Sequence, residues 1–177
     1  MRMIIVILVC WSLITLNRAW ADSGVLDIEW PTATKSRGSV AARKAPYPDV
    51  LQNGVRNVRL PVLLPASLAY DKKMSIVSDQ FFYTVTFVQP GAAVMITGDR
   101  LYQQTIPSGS DLEAQLKSTA GVMFSHDEGM MTADFNRYGV NYTLQVECAK
   151  PATDIRCTQE NFIRKLYGEL DVVGGRP

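Results

Sequence analysis

Several stretches of the chain alternate apolar and polar residues with a period of two, the pattern of a β-strand with one buried face. Tyr142, Leu144, Val146 and Cys148 share one side of such a stretch, while Thr143, Gln145 and Glu147 share the other. Tyr83, Val85 and Phe87 alternate with Thr84 and Thr86 in the same way, predicting a strand over Phe82 to Val88. Gln89-Pro90-Gly91 then marks a turn, Ala92 to Thr97 the next strand, and Gly98 a break before a continuation over Arg100 to Thr105. Val122 to Ser125 and Met131 to Phe135 flank His126-Asp127-Glu128-Gly129, a segment of hairpin character. Leu60 to Pro65 is a short apolar run whose prolines suit an edge or a strand end.

Two segments change to helical spacing. Ser110-Asp111-Leu112-Glu113 forms a capping box, in which the serine accepts from the Glu113 N–H and the glutamate reaches back to the serine N–H. Leu112, Leu116 and Ala120 follow on one face, and Gly121 is placed to end the helix. A second helix is predicted to begin at Thr158 as its cap, with Glu160 near the positive helix start. Its apolar stripe is Phe162, Ile163, Leu166, Tyr167 and Leu170, and Gly174-Gly175 lies beyond its stop. These elements predict an α+β fold, an antiparallel sheet of five to seven strands with two helices packed on one face.

Residues 22 to 58 show no sustained period and carry Pro31, Pro46 and Pro48. They read as a flexible basic leader ahead of a single domain over residues 59 to 177. From Lys35 to Arg59 the six basic residues Lys35, Arg37, Arg43, Lys44, Arg56 and Arg59 stand against the single acid Asp49. Such a run is a candidate for surface contact with an anionic envelope surface or an envelope protein, with Trp30 and Tyr47 as interfacial aromatics.

The amino-terminal segment changes the picture of where the chain works. Arg2, an apolar run from Met3 to Leu16, and Ala19 and Ala21 around Trp20 have the three parts of a secretory signal peptide over residues 1 to 21. The run is shorter than the roughly 20 residues a membrane-crossing helix needs, so no membrane span is expected after cleavage. Cleavage after Ala21 leaves Cys148 and Cys157, an even pair that an oxidising compartment joins as a disulfide. It also leaves 16 basic against 17 acidic residues, because Arg2 and Arg18 depart. A chain this near neutrality lacks the positive field that draws nucleic acid.

Candidate chemistry is sparse. His126 is the only histidine, beside Asp127 and Glu128, but neighbours on an extended chain point to opposite faces. Asp127, Glu128 and Asp134 offer carboxylates for a hydrolase, which needs two of them at a defined separation. Met74, Met95, Met123, Met130 and Met131 offer thioethers for copper handling. Ser108-Gly109-Ser110 lacks the frame of a serine nucleophile, and no glycine loop for phosphate is present. No catalytic residue, cofactor or metal ligand is assigned from these patterns.

The carboxy-terminal third, from Asp134-Phe135-Asn136-Arg137-Tyr138-Gly139-Val140 through Tyr142, Cys148 and Cys157 to Val173-Gly174-Gly175, resembles small exported proteins of Gram-negative bacteria. The resemblance implies a periplasmic address and a disulfide-bonded α+β domain, and carries no site residues over. The expectation is a periplasmic or secreted binding or structural module; a carboxylate hydrolase and a copper-handling protein are the alternatives.

Overall fold

The computed structural model describes residues 22–31, 46–104 and 121–177. Along the chain run β1 (Asp22–Val25), α1 (Asp49–Gly54), β2 (Val62–Pro65), β3 (Ser75–Ser78), β4 (Phe82–Gln89), β5 (Ala92–Asp99) and β6 (Leu101–Gln104). After Gly121 come β7 (Met123–Asp127), β8 (Met130–Arg137), β9 (Val140–Cys148), α2 (Ile155–Thr158), α3 (Asn161–Gly168) and β10 (Leu170–Gly174). A six-stranded antiparallel sheet in the order β3-β4-β5-β9-β8-β7 forms the body, and the pairs β1-β6 and β10-β2 form two smaller sheets. This is the α+β class that the alternating stretches predict.

The hairpins follow from local chemistry. Asp127 and Met130 are joined by Glu128 and Gly129, and Arg137 and Val140 by Tyr138 and Gly139; all four linking residues have positive φ. Two consecutive positive φ values make the turn whose twist matches that of paired strands. The turn of the first hairpin is therefore shorter than expected: His126 and Asp127 belong to β7, not to the loop.

One face of the large sheet is the core. Tyr83, Val85 and Phe87 of β4, Val94 and Ile96 of β5, Tyr142, Leu144 and Val146 of β9, and Met131 and Ala133 of β8 are all buried there. The β2-β10 pair, α2 and α3 lie over this face, with Leu63, Leu64, Ile163 and Leu166 buried against it. Two helices thus share one face, but they are the neighbours α2 and α3; the helix expected from Ser110 lies outside the described residues.

Gly98 was expected to break a strand, and it sits inside β5 instead. It stands in register between Tyr83 and Tyr142, and a Cβ added there would come within 2.5 Å of the Tyr83 ring and 2.9 Å of the Tyr142 ring. The missing side chain is what lets both rings lean over β5. Their hydroxyls reach β2 and the residue before it: Tyr142 donates to the Pro61 carbonyl at 2.7 Å, and Tyr83 bonds the backbone of Leu63.

The expected boundary at residue 58 does not separate a leader from a domain. Leu51 and Val58 are fully buried and Val55 nearly so, because the α1 turn seats them in the core. Residues 22–25 pair with β6, and the Glu29 N–H donates to the Tyr138 carbonyl at 3.0 Å. Gly139 accommodates this segment, since a Cβ there would meet the Asp27 carbonyl oxygen.

At the carboxy terminus the order is also revised. Asp154, not Thr158, caps the first helical turn, accepting from the Arg156 N–H at 3.0 Å; Thr158 is the last residue of α2. Leu170 leaves the helical stripe and opens β10, which pairs antiparallel with β2.

Candidate functional site

Cys148 ends β9 and Cys157 sits in α2; their sulfurs are 2.05 Å apart, at disulfide distance, with both residues buried. The pair ties the central strand of the core to the helical turn above it. A second fastening lies beside it. Arg156 makes a forked contact to Asp154, Nε to Oδ1 at 2.9 Å and Nη2 to Oδ2 at 2.5 Å, and Nη2 also donates to the Pro90 carbonyl at 3.0 Å. That side-chain bonding, with the Arg156 backbone N–H, holds the Asp154 carboxyl down at about 2.

Of the basic surface candidates, Lys35, Arg37, Arg43 and Lys44 lie outside the described residues. Arg56 and Arg59 are exposed; Arg56 Nη2 donates to Asn53 Oδ1 at 3.0 Å, and the Arg59 carbonyl accepts from Arg100 Nη1 at 2.9 Å. The residues that flank the other four are anchored on both sides, Glu29 to the β8-β9 turn and Leu51 in the core.

The acids around the β7-β8 hairpin do not converge. Asp127 stands opposite Met130 at one end, whereas Asp134 stands opposite Met123 at the other, accepting from Thr143 Oγ1 at 2.7 Å. Four residue steps lead from Met130 to Asp134, roughly 13 Å along the strand, beyond the spacing of paired glycosidase carboxylates. The methionines divide as well. Met74 and Met131 are buried in the core, Met123 is 60% exposed on the other side of the sheet, and β9 lies between Met95 and Met130. Among the described residues no three of His, Cys, Asp or Glu are placed to hold a metal ion. None of the described helices is long and apolar enough to cross a membrane.

Burial raises the Tyr83 and Tyr142 hydroxyls above the ordinary phenol range, but both are engaged by backbone groups of the core. Depressions lined by described residues are open to solvent. One of about 410 Å³ is lined by Tyr47, Pro48, Asp49, Val50 and Lys72; another of about 210 Å³ by Met123, Asp134, Asn136, Asn141 and Thr143 among others.

The second depression belongs to the outer face of the large sheet, which alternation alone had left as a solvent side. Thr84, Thr97, Thr143 and Asp134 lie in register across four strands of it. Thr84 and Thr97 hydroxyls are 3.0 Å apart, and Asn136 Nδ2 donates to Asn141 Oδ1 at 3.1 Å. Val77 and Val88, 62% and 70% exposed, mark the rim of this face with Met123. This face combines hydroxyl, amide and carboxylate side chains with apolar residues at its margin, and the depression that described residues form on it is open to solvent.

At the β7 margin the inner face carries an aromatic corner. The Tyr167 ring meets Phe135 edge-on at 4.9 Å and Phe124 at 5.9 Å. Arg137 lies 5.3 Å from the Phe135 and Tyr167 rings, and Arg164 4.0 Å from the Phe124 ring. Only the Phe162-to-Leu170 stripe hinted at this corner in the sequence. Comparison of the chain with known protein families, with curated proteins and with solved structures finds no match.

Proposed function

We propose that the chain is an exported protein of the periplasm or cell envelope, acting as a binding or structural module without catalytic activity. The observation that carries the address is the buried Cys148–Cys157 pair at bonding distance, because structural disulfides persist in oxidising compartments. The signal-like residues 1 to 21 support the same address. Contact with an anionic envelope surface falls to Lys35, Arg37, Arg43 and Lys44, four cations without an acid between residues 32 and 45.

The test has two parts. Fractionation with thiol alkylation is expected to find the chain outside the cytosol, shortened after Ala21, with Cys148 and Cys157 protected until reduced. A cytosolic chain with both thiols open would end this reading. Replacing Lys35, Arg37, Arg43 and Lys44 with Gln is expected to abolish crosslinking to the envelope while leaving thermal stability unchanged; full retention of crosslinks would remove the basic segment from the contact. Deleting residues 22 to 58 is not a usable variant, since it removes Leu51, Val55 and Val58 from the core.

A further inference from the structure

In the β7-β8 hairpin the residues beside the two-residue turn, Asp127 and Met130, form the closing hydrogen-bonded pair. Stepping back by two, Ser125 and Met123 also direct their backbone groups to β8, opposite Thr132 and Asp134. Phe124 and His126 therefore aim their N–H and C=O groups away from β8, along an edge that no described strand pairs. Exposed edges are commonly blunted by proline, lysine or a bulge. The Met-Phe-Ser-His-Asp of β7 has no proline or lysine, and its register with β8 runs without a shift. The opposite edge is different: Ser78 Oγ donates to the Gly54 carbonyl at 2.5 Å, and Gly54 lies against the Ile76 side chain, so α1 covers β3.

Two copies that meet through the same strand edge close about a two-fold axis, and each then covers the β7 edge of the other. We propose that β7 pairs antiparallel with β7 of a second copy about an axis at Ser125, joining two six-stranded sheets into one continuous sheet. In this register Phe124 faces His126 of the second copy, and these are the residues whose backbone groups point outward. Donors meet acceptors on both sides of the axis. Ser125 faces Ser125, and each Asp127 carboxylate faces an uncharged Met123, so no like charges oppose one another. The proposal is independent of the cellular address.

Light scattering and sedimentation velocity on the disulfide-bonded chain are expected to show a concentration-dependent dimer and no larger species. At the axis the two Ser125 residues form a non-hydrogen-bonded pair with Cα atoms roughly 4.5 Å apart, within disulfide reach, so Ser125→Cys is expected to crosslink on air oxidation. Ser125→Lys, which sets two ammonium groups face to face at an exposed position, is expected to abolish the dimer with an unchanged circular dichroism spectrum. If that variant fails to fold, the Ser125→Cys crosslink alone decides. A chain that stays monomeric at every concentration with no Ser125→Cys crosslink overturns the proposal. So does a dimer that folded Ser125→Lys leaves intact, or a Ser125→Cys chain that crosslinks only to a different protein.

Discussion

The hydroxyl of Tyr83 accepts from the backbone N–H of Leu63 at 2.8 Å and donates to the carbonyl of the same residue at 3.1 Å. Both groups point away from β10, so Leu63 and Val172 form a non-hydrogen-bonded pair. One phenol thus does for the outer edge of β2 what a further strand would do. It needs the one donor and one of the two acceptor sites that a hydroxyl owns.

Tyr83→Phe leaves a buried N–H and a buried C=O of Leu63 unpaired, and is expected to lower stability by about 2 kcal/mol. Tyr142→Phe removes a single bond to the Pro61 carbonyl, and is expected to cost about 1 kcal/mol. Urea unfolding of the two variants should keep the same slope and show Tyr83→Phe as the more damaging. The reverse order would remove the β2-edge role from Tyr83.

Gly98→Ala places a methyl group against Tyr83, Tyr142 and Leu60, all within 3.0 Å of its position. Overpacking of this kind costs about 2 kcal/mol. Gly168→Ala has nothing within 4 Å and sits at the end of α3, where less unfolded-chain freedom gives about 0.5 kcal/mol of stabilisation. Melting temperatures of the two variants are therefore expected to move in opposite directions.

Reduction, or the double change Cys148→Ser with Cys157→Ser, opens a loop with a sequence separation of 9. The chain-entropy relation assigns it about 2.7 kcal/mol. Chemical denaturation with and without reductant measures the difference, and a chain equally stable in both would deny the pair a structural part.

Asp154 titrates lower in the folded chain, at about 2, than its ordinary 3.8, so its ionised form favours folding. The contribution is present above the ordinary value and lost as pH falls through about 2. Asp154→Asn is expected to be less stable than the unmodified chain at neutral pH and to match it near pH 2. Melting temperature followed against pH checks the convergence; a gap that stays constant down to pH 2 would contradict it.

Alternation in Tyr142 to Cys148 and in Phe82 to Val88 made β9 and β4 legible, because a strand with one buried face writes its period directly into the chain. Helical spacing identified the Ile163 and Leu166 side of α3 for the same reason. β3 was not legible: Ser75-Ile76-Val77-Ser78 is too short to show a period, and β4 supplies its pairing. The outer face showed only as a set of polar positions. That Thr84, Thr97, Thr143 and Asp134 stand in line depends on register between strands distant in the chain.

What the sequence determined alone is the α+β class, most strands of the large sheet, the apolar side of the last helix and a pairing of its two later cysteines. Each is a local or counting property, set by the two- and near-four-residue periods of backbone geometry and by the scarcity of sulfur. Only the tertiary structure decided that Leu51, Val55 and Val58 enter the core, that β10 closes on β2, and that Gly98 makes room for two tyrosines. These rest on contacts between residues far apart along the chain, where burial and backbone pairing outweigh local preference.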